Sequence, residues 1–267
     1  MYNREKIIAM LREIAADNEQ IKPYVAMLQP RRNLEEIAAQ NLDEKTGNLH
    51  IDVMGYAHGF GSIGGEKVDV ARNYLLEQGL DCGAKYLLFV GEDTVLPYDA
   101  FYHLHKTAEA NPGSVVVGVY YVKLSVPMIM IKTEENWVIP ANVDPGQVFE
   151  IYTSGLDCAL IPTSILKKMK EDDPELPFCC MSNSVEGLPS IGEDNFFECR
   201  LRKSGFRLLV NTDVQCLHMD LASGKYTAHP NVNLTHYYTN IPITERLVLD
   251  DKEVIDKRWI DRIPCGK

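Results

Sequence analysis

The chain has 267 residues, 45% of them hydrophobic and 24% charged, with a formal net charge of −11. This balance belongs to an ordinary globular protein and excludes a disordered, collagen-like or low-complexity chain. The acidic excess argues against a large surface that tracks nucleic-acid phosphates, which takes a basic stripe, although a local basic groove is compatible with it.

In chain order, Arg4 to Ala16 carries Ile7, Ile8, Leu11, Ile14 and Ala15 at helical spacing between charges, which predicts an amphipathic opening helix. A charged start of this kind lacks the apolar core of a signal peptide, so the expectation is a cytoplasmic protein. Tyr24–Leu28 reads as a short buried strand stopped by Gln29-Pro30, Leu34–Ala39 as a helix, and His50–Met54 as a second strand. The glycines between His58 and Gly65 predict a loop leading into a helix over roughly Lys67 to Gln78.

Tyr86–Val90 is wholly apolar, as in a strand buried on both faces of a mainly parallel sheet. Ala100–Ala110 is helical in pattern, and Asn111-Pro112-Gly113 ends it before a strand over Ser114–Tyr120. These apolar runs are far shorter than the about 20 residues a bilayer requires, so no membrane span is expected.

The second half is less regular. Asp144-Pro145-Gly146 predicts a turn, Ile161–Met169 a helix, and 171–192 a loop-rich region with three prolines. Glu193–Lys203 predicts a helix with Glu193 and Asp194 in its first turn and Arg200, Arg202 and Lys203 in its last, followed by Gly205 and a strand over Phe206–Val210. Seven cysteines, at 82, 158, 179, 180, 199, 216 and 265, have no repeating spacing and no C-x-x-C pair, which predicts reduced thiols and neither a disulfide framework nor a zinc site. The alternation of strands and helices predicts an α/β fold, and no linker divides the chain.

The sharpest chemical feature is the end of the apolar strand, Gly91-Glu92-Asp93-Thr94. Ligands of open α/β sheets bind beyond the carboxyl ends of the strands. Paired carboxylates there suit a hard divalent cation, while the bland alternative is a solvated turn. His218 reads by default as a strand-end histidine, Glu193 and Asp194 as helix-start carboxylates, and Arg72 as the partner of Asp69 or Glu66 on its own helix.

The order of these pieces changes that reading. Val70-Ala71-Arg72-Asn73, the apolar strand with Glu92-Asp93, Val117-Gly118-Val119-Tyr120, the Ser154–Ile161 segment, Gly192-Glu193-Asp194 with Phe196, Phe197 and Arg200, then Gly205-Phe206-Arg207 and His218 together resemble GT-A-type, family 2-like glycosyltransferases. The resemblance covers roughly 24–220 and implies a GT-A-like, Rossmann-like α/β domain with a mainly parallel sheet flanked by helices. It divides the chain into a nucleotide-sugar half to about 125, an acceptor half over 126–220, and a tail or lid over 221–267 that holds Lys225, Tyr226, His229, His236, Tyr237 and Tyr238.

The resemblance further implies a hexosyltransferase-type reaction from a nucleoside-diphosphate sugar to an acceptor hydroxyl, assisted by Mn²⁺ or Mg²⁺. The acceptor classes in view are a glycan, a small glycoside, a protein or a modified DNA base. In this frame Asp93, Glu92 and His218 are the metal residues, and Gln29, Arg72, Glu92 and Asp93 bind the donor. Asp194 is the catalytic base, charged at neutral pH beside the helix N-terminus, and Glu193, beside it in the catalytic pair, holds the acceptor or braces the loop. One departure stands out: many relatives carry Asp-x-Asp at the strand end, whereas here the first position is Gly91, and Glu92 is the expected substitute.

Two other classes compete. Gly59-Phe60-Gly61-Ser62-Ile63-Gly64 is a literal G-x-G-x-x-G and fits an NAD(P)-dependent oxidoreductase using that loop, although Gly55–His58 separates it from the strand expected before it and the acid expected about 20 residues on falls in the 81–83 loop. A non-catalytic nucleotide- or carbohydrate-binding module of the same fold is the other.

Overall fold

The computed structural model describes residues 25–31, 58–64, 66–97, 100–122, 126–132, 137–140, 143–181, 192–220 and 225–229. The predicted elements at 4–16, 34–39 and 50–54, together with Cys265, His236, Tyr237 and Tyr238, lie outside them. The first half runs β1 (Val25–Arg31), β2 (His58–Gly64), α1 (Val68–Asp81), β3 (Tyr86–Val90), β4 (Thr94–Val95), α2 (Ala100–Ala110) and β5 (Ser114–Val122). Short strands β6 (Val126–Pro127), β7 (Ile129–Lys132), β8 (Trp137–Val138), β9 (Val148–Glu150) and β10 (Thr153–Ser154) follow. The described second half then continues with β11 (Cys158–Pro162), α3 (Thr163–Asp172), α4 (Glu193–Lys203), β12 (Arg207–Asp220) and β13 (Lys225–Thr227).

The result is a mixed α/β architecture with a mainly parallel central sheet. Its strand order is β13-β12-β5-β11-β3-β1-β2, with β11 antiparallel to both β3 and β5. The pairs β1 with β2, β1 with β3 and β5 with β12 are parallel.

Side-chain alternation along the central strands explains the layers. Leu87 and Phe89 of β3 and Val115, Val117 and Val119 of β5 face a core shared with Leu75 and Leu76 of α1, Ile165 and Leu166 of α3, and Phe197 and Leu201 of α4. Tyr86, Leu88 and Val90, with Val116 and Tyr120, face the opposite core under Phe101 and Leu104 of α2. Each fully buried Leu or Phe contributes about 1.5–3 kcal/mol relative to exposure, so helices on both faces are what permit a strand as uniformly apolar as β3. Among the described residues, no helix is long and apolar enough to cross a membrane, and the six described cysteines are free thiols.

Several sequence expectations need correction. The Gly59–Gly64 segment is not a loop: it forms β2, paired residue by residue with β1 from Val25–His58 to Arg31–Gly64. A dinucleotide fingerprint needs its glycines in the turn between strand and helix, whereas here they lie within the strand, which removes the structural basis of the oxidoreductase reading. β1 does not stop at Gln29-Pro30. Its pairing with β3 ends at Leu28, so Pro30 lies in a stretch bonded to β2 alone, where the lost N–H is tolerated.

Ile161 belongs to strand β11, and the helix after it begins at Thr163. The strand expected over Phe206–Val210 runs on as β12 to Asp220, with a register shift between Val210 and Gln215, and thereby carries His218 toward the end of β3. Within 221–267 the described residues are 225–229: β13 pairs with β12, and His229 is buried edge-on against Tyr121.

Candidate functional site

The strand-end turn after β3 is held from two sides. Gly91 N donates to Asp157 O at 2.9 Å, and β4 pairs with β12 so that Thr94 lies opposite His218. That pairing brings His218 Nε2 to 3.5 Å from Asp93 Oδ1. Asp93, Asp157 and His218 converge, with one potential ligand atom from each within 4.8 Å of the others. Glu92, buried beside Asp93, lines the same cleft but is not one of the converging three.

His218 is steadied by Tyr120, whose ring stacks on the imidazole at 5.4 Å and 30°. The Tyr120 hydroxyl in turn occupies the space beside Gly155, where a Cβ would lie 1.5 Å from it, so the close approach requires glycine there. Burial, and then the charges of Asp157 and Asp194, push the Tyr120 phenol well above its ordinary pKa, so it stays neutral. Tyr120 and Asp157 are both residues of the site that motif reading quoted without assigning a role.

Across the cleft, α4 presents its first turn. Phe196, Phe197 and Leu201 anchor the helix in the core. Arg200 donates to the carbonyls of Met169, Asp173, Leu176 and Pro177 and so binds α4 to the end of α3 and the loop after it. Glu198, fully buried, accepts from Ser154 N at 2.7 Å and contacts Thr153 Oγ1, which also contacts Asn195 Oδ1.

One hydroxyl proton cannot serve both Asn195 and Glu198, but a protonated Glu198 donating to Thr153 completes the chain. Burial holds the Glu198 carboxyl well above the usual range and outweighs the lowering effect of its contacts with Thr153 and Ser154. A raised folded-state pKa means that its contribution to stability is complete below the ordinary glutamate value and is lost as pH rises through the higher folded value. Glu198→Gln keeps the hydrogen-bond pattern without the proton, and is expected to melt about 2–4 °C above the wild type at pH 8 with the gap closing toward pH 5. Thermal melts across pH check this; a gap independent of pH contradicts it.

The two sides meet at Arg72, which is 3% exposed. Its Nη1 donates to Glu193 Oε1 at 2.9 Å and to Asp194 Oδ1, and its Nη2 donates to Asp157 Oδ1 at 2.9 Å. Its partners are therefore neither Asp69 nor Glu66. Burial opposes its charge, but Asp194, Asp157 and Glu193 outweigh that cost and hold its pKa above the ordinary arginine value.

Asp194 departs from expectation in its ionisation. Burial first, then the neighbouring Glu193 and Asp157, push its carboxyl up to about 7 against the opposing pull of Arg72. A partly protonated group at neutral pH replaces the fully charged one that the helix N-terminus alone predicts. The cleft, about 200 Å³, is lined by Arg72, Glu92, Asp93, Asp157, Glu193 and Asp194 among others. Gln29 is buried at the carboxyl end of β1 and does not line it.

No protein-family model matches the sequence, and no curated protein matches it. Among solved structures, the fold is similar to that of A197 from STIV, with a TM-score of 0.50, 16% identity, and coverage of 78% of this chain and 95% of that one. It is also matched to GalNAc-T7 with UDP, GalNAc and Mn²⁺ at a TM-score of 0.43 and 10% identity, covering 82% of this chain and 53% of that one. At these identities, the likeness to A197 speaks to the fold alone, and the match to GalNAc-T7 lies too low to add to it.

The converging donor set has the chemistry of a divalent-cation site. Two carboxylates fit Mg²⁺, Ca²⁺ or Mn²⁺, and the imidazole tilts the preference from Mg²⁺, which favours an all-oxygen octahedron, toward Mn²⁺.

Proposed function

We propose that this protein is a GT-A-type glycosyltransferase that moves a sugar from a nucleoside-diphosphate donor to an acceptor hydroxyl with the help of a divalent cation. The observation that carries the reading is one cleft in which Asp93 and Asp157, on which His218 converges, and the Glu193–Asp194 pair are set around Arg72. The order of motifs along the sequence supports it independently.

In this reading Asp93, Asp157 and His218 hold Mn²⁺, which when bound neutralises charge on the leaving diphosphate. Glu92, beside Asp93 on the cleft wall, faces the donor ribose, and Gln29, at the end of the β1 strand that pairs with β3, lies toward the base. Both terminal nitrogens of Arg72 are engaged by carboxylates, so it acts by fixing Asp157 and Asp194 relative to each other and not by gripping phosphate. Asp194 takes the acceptor's proton, and a carboxyl with a pKa near 7 is well matched to that task at neutral pH. Glu193 braces Arg72 and borders the acceptor.

A thermal-shift panel of nucleoside diphosphates and nucleotide sugars, with and without Mn²⁺, tests the donor side. One nucleoside diphosphate is expected to raise the melting temperature only with Mn²⁺, and Asp93→Asn is expected to abolish that increment while leaving the apo melt unchanged. An equal Mn²⁺-dependent shift in Asp93→Asn removes the site, and absence of any nucleotide-sugar turnover by a protein that binds both leaves only a binding module.

A further inference from the structure

The antiparallel register of β11 on β3 pairs Cys158 with Val90, which sets Asp157 directly across from Gly91. The two backbones are joined there by the hydrogen bond from Gly91 N to Asp157 O. A Cβ at position 91 would lie 2.8 Å from Asp157 Cγ and 2.9 Å from Asp157 Cβ, closer than carbon atoms approach one another. The Asp157 side chain thus fills the volume in which a side chain of residue 91 would begin. From that volume its carboxylate reaches the group formed with Asp93 and His218.

We infer that positions 91 and 157 are alternative sources of one carboxylate for the divalent-cation site: Asp157 supplies across the strand pair the ligand that the end of β3 lacks, and Gly91 is glycine because that ligand occupies its side-chain space. This rests on the metal site of the proposed function but not on the transfer chemistry. Glu92, the nearer substitute in sequence, is excluded from the role by geometry. Glu92 and Asp93 share the turn between β3 and β4, and the atoms that converge belong to Asp93, Asp157 and His218, with none from Glu92.

The exchange also explains why Asp157 is held as firmly as it is. Arg72 Nη2 donates to its Oδ1 at 2.9 Å from a position on α1 that is itself buried, so the borrowed carboxylate has a fixed direction although it sits in the turn between β10 and β11. Such an outer partner orients a ligand and sharpens metal affinity. Thr94 Oγ1, the other atom near position 91 at 2.9 Å, has no hydrogen-bond partner among the described residues and can rotate aside if a side chain is placed there.

Mn²⁺ titration of the full-length protein, followed by the electron paramagnetic resonance signal of free Mn²⁺, tests the inference without any sugar substrate. Asp157→Asn, which keeps the volume, is expected to weaken Mn²⁺ binding by at least about tenfold. Gly91→Asp alone is expected to melt lower than the wild type and to bind Mn²⁺ no better, because the two side chains compete for one space.

The double variant Gly91→Asp/Asp157→Gly is expected to recover Mn²⁺ affinity to within about threefold of the wild type, as restoring a ligand in the same volume should. Unchanged Mn²⁺ binding in Asp157→Asn overturns the inference, as does a Gly91→Asp protein of normal stability that binds Mn²⁺ more tightly, or a folded double variant without recovery. If both Gly91 variants fail to fold, Asp157→Asn alone decides. Recovery in a protein that turns over no nucleotide sugar keeps the exchange and discards the transferase reading; turnover indifferent to Mn²⁺ and to Asp157→Asn does the reverse.

Discussion

Asp194→Asn is expected to lower kcat for sugar transfer by roughly 10²–10⁴ while leaving the donor KM within about twofold. The amide keeps the size of the side chain and one acceptor oxygen toward Arg72, so the loss isolates proton abstraction from cleft architecture. The pH profile carries the finer test. With its carboxyl pushed up to about 7 by burial, Glu193 and Asp157, Asp194 is active as a base only when deprotonated, so wild-type kcat should fall on the acid side of neutrality. The residual rate of Asp194→Asn should lack that acid limb. The assignment requires inversion at the anomeric carbon; a product of retained configuration, or transfer undiminished in the variant, rejects it.

Removal of Arg72 is expected to have the largest effect on stability. Arg72→Met keeps the apolar stem on α1 but leaves Asp157, Glu193 and Asp194 facing one another without a cation. Breaking a buried ion pair by removing one partner costs up to about 5 kcal/mol, and because these carboxylates keep 14–22% of their side-chain surface a loss of about 2–4 kcal/mol at pH 8 is the appropriate expectation.

The pH dependence of that loss has a definite sign. Without the guanidinium the Asp194 carboxyl, already raised by burial, loses the pull that lowers it and rises further, so the folded protein binds more protons than the unfolded chain, and stability falls as pH increases. The difference in urea midpoint between wild type and Arg72→Met should therefore be small near pH 5 and grow toward pH 8. A difference that stays constant over this range would show that packing of the arginine stem, and not its charge, is what the cluster needs.

Where the sequence was informative, the reason is local. Tyr86–Val90 could be read as a doubly buried strand because five consecutive apolar residues leave no polar face, and the structure buries all five. Glu193–Lys203 could be bounded correctly because acids at its start and bases at its end match the helix dipole within the helix itself. Asp93 stood out for the same kind of reason, since a carboxylate just past an apolar strand is displayed where α/β sheets bind ligands.

What escaped the sequence depends on partners that are distant along the chain. The glycines of β2 have no strand propensity of their own and are extended because β1 supplies a parallel ladder for every one of them. Arg72 looked like a phosphate contact or a pair within its helix, yet its carboxylates lie 85 to 122 residues away, and only the tertiary placement of the first turn of α4 and of the β10–β11 turn beside α1 selects them. Asp194 is the clearest division between the two levels. Its place in a helix's first turn was determined by sequence and by itself favours ionisation, whereas its pKa was decided by tertiary burial beside two more carboxylates, an effect that outweighs a surface helix dipole worth at most about 1 kcal/mol.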